Sequence, residues 1–232
     1  MIPSTAGGVA AFLIAAAVGC GGGDRAPEAP AASDAPAGGR ATPAAPDPRP
    51  AILFIGTSLT AGLGVDPDEA YPAVIQRRLD SLHLAWRVIN AGVSGETSAG
   101  AVRRLESVLT DPVRVVVLET GANDGLRGID PNSTRANLEQ IVRRIRARDS
   151  TIAIVLAGME APPNLGRRFT QQFRELFPAL AARERLALVP FLLAGVAGDD
   201  ELNQDDGIHP TARGHELIAD TVWRALEPSL WR

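Results

Sequence analysis

The sequence predicts an α/β domain: a five-stranded parallel sheet with helices on both faces. Three observations carry this. Five short apolar runs recur between residues 51 and 190, each closed by Gly, Pro or a polar cluster. The stretches between them repeat apolar residues at helical spacing. The runs are apolar on both faces instead of alternating, which is the pattern of strands sandwiched between two helical layers.

Taken in order, residues 51–55 (AILFI) form a buried strand closed by Gly56. Residues 70–84 form a helix with Val74, Ile75, Leu79 and Leu82 on one face, and residues 86–90 a second strand. Residues 98–109 form a helix carrying Val102, Leu105 and Leu109, and residues 114–119 (RVVVLE) a third strand. Residues 131–148 form a helix whose stripe is Leu138, Ile141, Val142 and Ile145, with Asn137, Arg144 and Arg148 wet. Residues 151–157 and 186–190 are the fourth and fifth strands, residues 168–183 the helix between them, and residues 211–226 the last helix. Crossovers between parallel strands are right-handed, and functional groups in such sheets gather at the carboxyl ends of the strands.

This domain does not fill the chain. Of 232 residues, the first 20 carry no charge, and residues 9–18 (VAAFLIAAAV) are an apolar run too short to span a bilayer. The run has the length of a signal-peptide core. The single cysteine, Cys20, follows Ala17-Val18-Gly19, an arrangement that resembles a bacterial lipobox. That resemblance implies cleavage before Cys20, a diacylated N-terminus, export to the periplasm or cell envelope, and membrane attachment. The competing reading is a buried N-terminal helix with an incidental cysteine. Residues 21–50 are rich in Pro, Ala and Gly without apolar periodicity, so they bury too little to offset their ordering entropy and read as a flexible tether. Residues 51–232 are then the folded domain.

Composition narrows the function classes. The net charge of −4 gives no basic face for phosphate binding, although all 23 basic residues are Arg. Aromatics at 4% leave no base-stacking platform. One cysteine excludes an intrachain disulfide framework and a cysteine-based zinc site.

Four strand-end positions carry chemistry. Ser58, in Gly56-Thr57-Ser58-Leu59-Thr60, is either an exposed nucleophile or a helix N-cap. It does not fit the G-x-S-x-G elbow, because Thr60 stands at the second glycine position. Gly92 either lends its N–H to a ligand or makes a tight turn. Asn123 either points its amide into the same crevice or makes an Asx turn. His209 stands before Pro210 at a helix entry, with Asp206 three residues upstream. That spacing lets Asp206 hold one imidazole nitrogen while the other accepts a hydroxyl proton. Asp205 is one residue out of phase. Of the other histidines, His83 reads as a surface or boundary residue and His215 as a solvent-facing helix residue.

In this order the blocks resemble the SGNH or GDSL hydrolase superfamily, whose four signature residues correspond to Ser58, Gly92, Asn123 and His209. GANDGLRG (121–128), NLGRRF (164–169) and QDDGIHP (204–210) resemble its bacterial thioesterase I, lysophospholipase and arylesterase group. The resemblance covers residues 51–228. It implies a flavodoxin-like three-layer sandwich with strand order 2-1-3-4-5 and a triad of Ser58, His209 and Asp206. It further implies an oxyanion hole of the Ser58 and Gly92 N–H groups with the Asn123 amide, and chemistry without metal or cofactor. One position departs: Thr57 replaces the usual Asp of G-D-S-L, keeping a hydroxyl but no charge.

The expected reaction is hydrolysis of a carboxylic ester or thioester through an acyl-enzyme on Ser58. Gly125, Leu126, Met159, Pro162 and Leu165 are expected to flank the acyl group. An exported site meets lipids and esters, which ranks ester or lysophospholipid hydrolysis above thioester hydrolysis. A carbohydrate or peptidoglycan O-acetylesterase is the nearest alternative enzyme, and a non-catalytic tethered binding protein the alternative from another class. The expected partner is an acyl-ester substrate, small molecule or lipid, with a membrane reached through the lipidated N-terminus. No nucleic-acid partner is expected, and the chain is expected to act as a monomer.

Overall fold

The computed structural model describes residues 47–110 and 112–231. The apolar leader, Cys20 and residues 21–46 of the expected tether lie outside the described residues.

β1 (Ala51–Gly56) is buried at every position. Its run AILFIG has no polar side chain to satisfy, so it can take an interior place in the sheet. β2 (Arg87–Gly92) and β3 (Val113–Leu118) pair with it on either side. β4 (Ala153–Ala157) and β5 (Ala187–Val189) extend the sheet beyond β3, giving the order 2-1-3-4-5 with every pairing parallel. Five fully buried side chains on β1, at roughly 1.5–3 kcal/mol for each large one, make this strand the centre of the core.

The crossovers are helical. α2 (Tyr71–Ser81) joins β1 to β2, α3 (Ser98–Val108) joins β2 to β3, and α5 (Pro131–Arg148) joins β3 to β4. α6 (Arg167–Glu184) joins β4 to β5, and α7 (Ala212–Leu226) closes the domain. α7 packs on α2, while α5 packs on α3 and α6. Right-handed crossovers place these two sets on opposite faces. The helix starts are legible locally: Thr97, Asp130 and Thr211 cap α3, α5 and α7 with side-chain oxygens, and Pro131 occupies the first turn of α5.

Three differences from the sequence reading have physical causes. β2 runs to Gly92, not to residue 90, because Gly92 still pairs with Gly56. α2 ends at Ser81, since His83 adopts a left-handed φ of 55° and leaves the helix axis as an exposed turn residue. The tether boundary also shifts: the Pro50 carbonyl accepts from Arg87 N, continuing the β1–β2 ladder outward. Two short helices, α1 (Ser58–Ala61) and α4 (Ala122–Leu126), were not anticipated, being too short to show periodicity.

Candidate active site

Each strand end delivers one part of the site. β1 runs straight into α1, whose first residue is Ser58 and whose N-cap is Thr57, so the capping role falls on the neighbour. Ser58 is therefore free to face His209, with Oγ 2.9 Å from Nε2. The other ring nitrogen, Nδ1, lies 2.6 Å from Asp206 Oδ2. The second Asp206 oxygen accepts from the backbone N–H groups of Ile208 and His209 at 2.9 and 3.0 Å. This local turn fixes the carboxylate before it meets the ring. The His209 bond, with those two N–H donors, holds the Asp206 carboxyl down at about 2, although the side chain is exposed. Asp205 takes no part.

β3 leads into Gly121, whose φ of 108° only glycine adopts easily, and then into α4. Asn123 sits in the first turn, with Nδ2 donating to the Glu96 carbonyl at 3.0 Å. That bond leaves one amide hydrogen for the crevice. Next to it, buried Asp124 accepts from Ser98 N at 2.8 Å, from Ser98 Oγ, and from Thr134 Oγ1 at 3.1 Å. One carboxylate thus fastens the start of α3 to α4 and α5. Glu96, whose carbonyl Asn123 reads, is itself held by Arg104 at 2.7 Å.

The structure corrects the role expected of Gly92. Its N–H donates to Asn90 Oδ1 at 2.9 Å. A Cβ there would fall 2.3 Å from Ala61 N, so this glycine exists to let α1 lie against β2. Gly92 is not part of the crevice wall; Gly95 is, together with Ser58 and Asn123. Gly95 has a φ of 76°, and its N–H has no hydrogen-bond partner among the described residues. The sequence offers two glycines three residues apart, and only the extra length of β2 shows which lies beyond the strand.

The crevice measures about 520 Å³ and its wall is mainly apolar. Of the residues expected to flank an acyl group, Leu126, Met159 and Pro162 line it. Gly125 does not: it is buried, and a Cβ would sit 3.0 Å from the Phe173 ring. Leu165 does not either; it lies outside the wall, near Gly128. Leu63, Phe191, Leu193 and Ile208 complete the wall from loops that no local pattern connects. A larger cleft, about 800 Å³, lies at the opposite end of the sheet beside Arg114, Arg146 and Arg185 and contains no histidine.

Two further polar groups beside the site are buried. His215, expected to face solvent, is fully buried and stacks on Tyr71 with ring centroids 6.3 Å apart. Burial pushes its imidazole down to about 4, so it is neutral, and its Nδ1 accepts from Tyr71 N. The signal was present: His215 shares the α7 stripe with Ile218, Ala219 and Val222. Glu119, read only as a strand terminus, is also fully buried and accepts from Thr57 N at 2.7 Å, Thr57 Oγ1 at 3.0 Å and Thr60 Oγ1 at 2.8 Å. Desolvation raises its carboxyl to about 7 against these hydrogen bonds.

The family model described as the GDSL-like lipase/acylhydrolase family matches residues 54–217. Esterase TesA of Pseudomonas aeruginosa is 39% identical over 180 residues, covering 77% of this chain and 89% of the relative. A protein of Escherichia coli named thioesterase 1/protease 1/lysophospholipase L1 is 35% identical over 178 residues, covering 76% and 83%. A crystal structure of TesA superposes with a TM-score of 0.73 at 39% identity, covering 77% of this chain and 99% of that one. With the sheet order, the strand-end serine and the matched span in agreement, the chain belongs to the GDSL-like lipase/acylhydrolase family.

Proposed function

We propose that this domain hydrolyses carboxylic esters of acyl chains with Ser58 as nucleophile. The observation that carries the reading is the unbroken line from Ser58 Oγ through His209 to Asp206, with spacings of 2.9 and 2.6 Å. His209 takes the Ser58 proton as Oγ attacks the carbonyl carbon, then gives it to the leaving alcohol. Asp206 keeps Nδ1 protonated, so that Nε2 is the basic nitrogen. Water, activated by the same nitrogen, releases the acid from the acyl-enzyme. The oxyanion is met by the Ser58 N–H, the Gly95 N–H and the Asn123 amide, with Gly95 taking the place first expected of Gly92. The apolar crevice takes the acyl chain.

Ser58→Ala should lower turnover of a p-nitrophenyl ester by on the order of 10⁴ or more while the circular dichroism spectrum is kept. Retained turnover would remove Ser58 from the mechanism. A thioester is open to the same attack; the preference for oxygen esters or lysophospholipids rests on the exported location argued from residues 1–20. In that reading Cys20 carries the membrane anchor. Cys20→Ser in the full chain should then move the protein from the membrane pellet to the soluble fraction, and wild-type protein recovered unacylated would sink the anchor.

A further inference from the structure

Behind Ser58 lies a buried polar cluster that the triad does not use. Glu119 Oε2 accepts from Thr57 N, the amide immediately before the nucleophile, and from Thr60 Oγ1 in the same helical turn. Thr57 Oγ1 donates to the Glu119 carboxylate and accepts from Leu59 N at 3.4 Å. One hydroxyl therefore ties the carboxylate to the N-terminus of the helix that carries Ser58. Thr60 Oγ1 lies 2.8 Å from Tyr71 Oη. With Thr60 donating to Glu119, the phenol must donate to Thr60. The space is committed: a Cβ on Gly56 would fall 2.0 Å from Thr60 Oγ1 and 2.6 Å from Glu119 Oε2.

We propose that Glu119, in its ionised form and through Thr57, is a positioning residue for the Ser58 nucleophile, and that the threonine at position 57 is what allows it to carry charge. The inference rests on the reading of Ser58 as nucleophile. An ionised carboxylate satisfies every donor aimed at it. A protonated one must donate in turn. If it donates to Thr60, the Thr60 hydrogen turns to Tyr71 and the buried phenol loses its acceptor. An ionised aspartate side chain at position 57 could not replace the donation that Thr57 Oγ1 makes to Glu119, and two carboxylates in contact must retain a proton between them. Threonine removes that conflict.

The groups facing Glu119 from each neighbouring element are consistent with a charge that is permitted but only weakly supported. From α2 comes the Tyr71 phenol, pushed well above its ordinary value by burial and by Glu119 itself. Behind it on α7 is neutral His215. From α3, the Arg104 guanidinium bonds the Gly56 carbonyl at 3.4 Å but is paired with Glu96. On the far side of Ser58 is His209. None neutralises Glu119 directly, which is why desolvation raises its carboxyl to about 7 and why its charge changes in the neutral range.

The test measures kcat and KM for a p-nitrophenyl ester across the neutral range in wild type, Ser58→Ala, Glu119→Gln and Thr57→Asp. Glu119→Gln should lower kcat by on the order of tenfold or more on the alkaline side with KM nearly unchanged, because misplacing a nucleophile costs rate and not binding. Its acid limb should lose the ionisation that Glu119 contributes in the wild type. Thr57→Asp should move the acid limb to higher pH by about one unit or more. If Glu119→Gln folds and keeps the wild-type kcat and pH profile, or if the limbs of Thr57→Asp and wild type coincide, the inference is overturned. Should Glu119→Gln fail to fold, Thr57→Asp alone decides. Activity surviving in Ser58→Ala would instead overturn the nucleophile assignment and this inference with it, whereas a dead Ser58→Ala beside an unaltered Glu119→Gln overturns this inference alone.

Discussion

Asn123 shows how much one side chain is asked to do. One of its two amide hydrogens is spent on the Glu96 carbonyl, which holds the group still. In the proposed reaction the other meets the developing oxyanion, where a fixed donor is worth far more than in water. Asn123→Ala should therefore lower kcat by about 10²–10³ with KM little changed, read by steady-state ester hydrolysis. An unchanged kcat would take Asn123 out of the oxyanion hole. Gly92 is the opposite case: the sequence reading expected it to donate to a ligand, yet its N–H is bound to Asn90 and its missing Cβ makes room for Ala61. Ser58, Asn123, Asp206 and His209 were legible in the sequence because each follows a strand end or a helix entry at a fixed local spacing. Gly95 and Glu119 were not. The first needed the true end of β2, and the second needed to be seen under α1, buried by residues distant in the chain.

Among the elements, the site depends on how α3, α4 and α5 are fastened together. Asp124 links all three, accepting from Ser98 on α3 and Thr134 on α5. Asn137 adds a bond to Ser98 Oγ at 2.9 Å. Asp124→Ala would leave buried donors on two helices without partners, at about 1–3 kcal/mol for each. We expect a loss of about 3 kcal/mol in urea unfolding and a fall in kcat, since Asn123 is carried on the loosened helix. Unchanged stability would mean that the helices are held by packing alone. The long elements were readable: the residue 131–148 expectation coincides with α5, whose apolar stripe, Pro131 and Asp130 cap all point the same way. α1 and α4 were not readable. A helix of four or five residues has no period, and both are held by strand-end geometry and buried hydrogen bonds.

At the scale of the whole molecule, the core fills the middle of one sheet and the candidate site lies at the carboxyl ends of its strands. The middle of the sheet is sealed by apolar residues, and polar groups are admitted only where the strands stop. Glu119 marks that border, and it couples folding to pH. Its carboxyl stands at about 7 in the folded state against 4.5 ordinarily, so the folded state binds the extra proton between those values. The stability it contributes is fully present below about pH 4.5 and is lost as pH rises through about 7, a change of about 3 kcal/mol. The difference in unfolding free energy between pH 5 and pH 8 should accordingly shrink in Glu119→Gln relative to wild type. Equal differences in the two proteins would show that Glu119 does not titrate in this window. The sequence by itself determined the layers, the order of the elements and the local pairing of Asp206 with His209, because these follow from apolar runs, helical periods and spacings of a few residues. Only the tertiary structure decided which glycine faces the crevice, which loops wall it, and that Glu119 and His215 are buried. Those properties arise where segments far apart in the chain exclude water from one another, and no local pattern records that meeting.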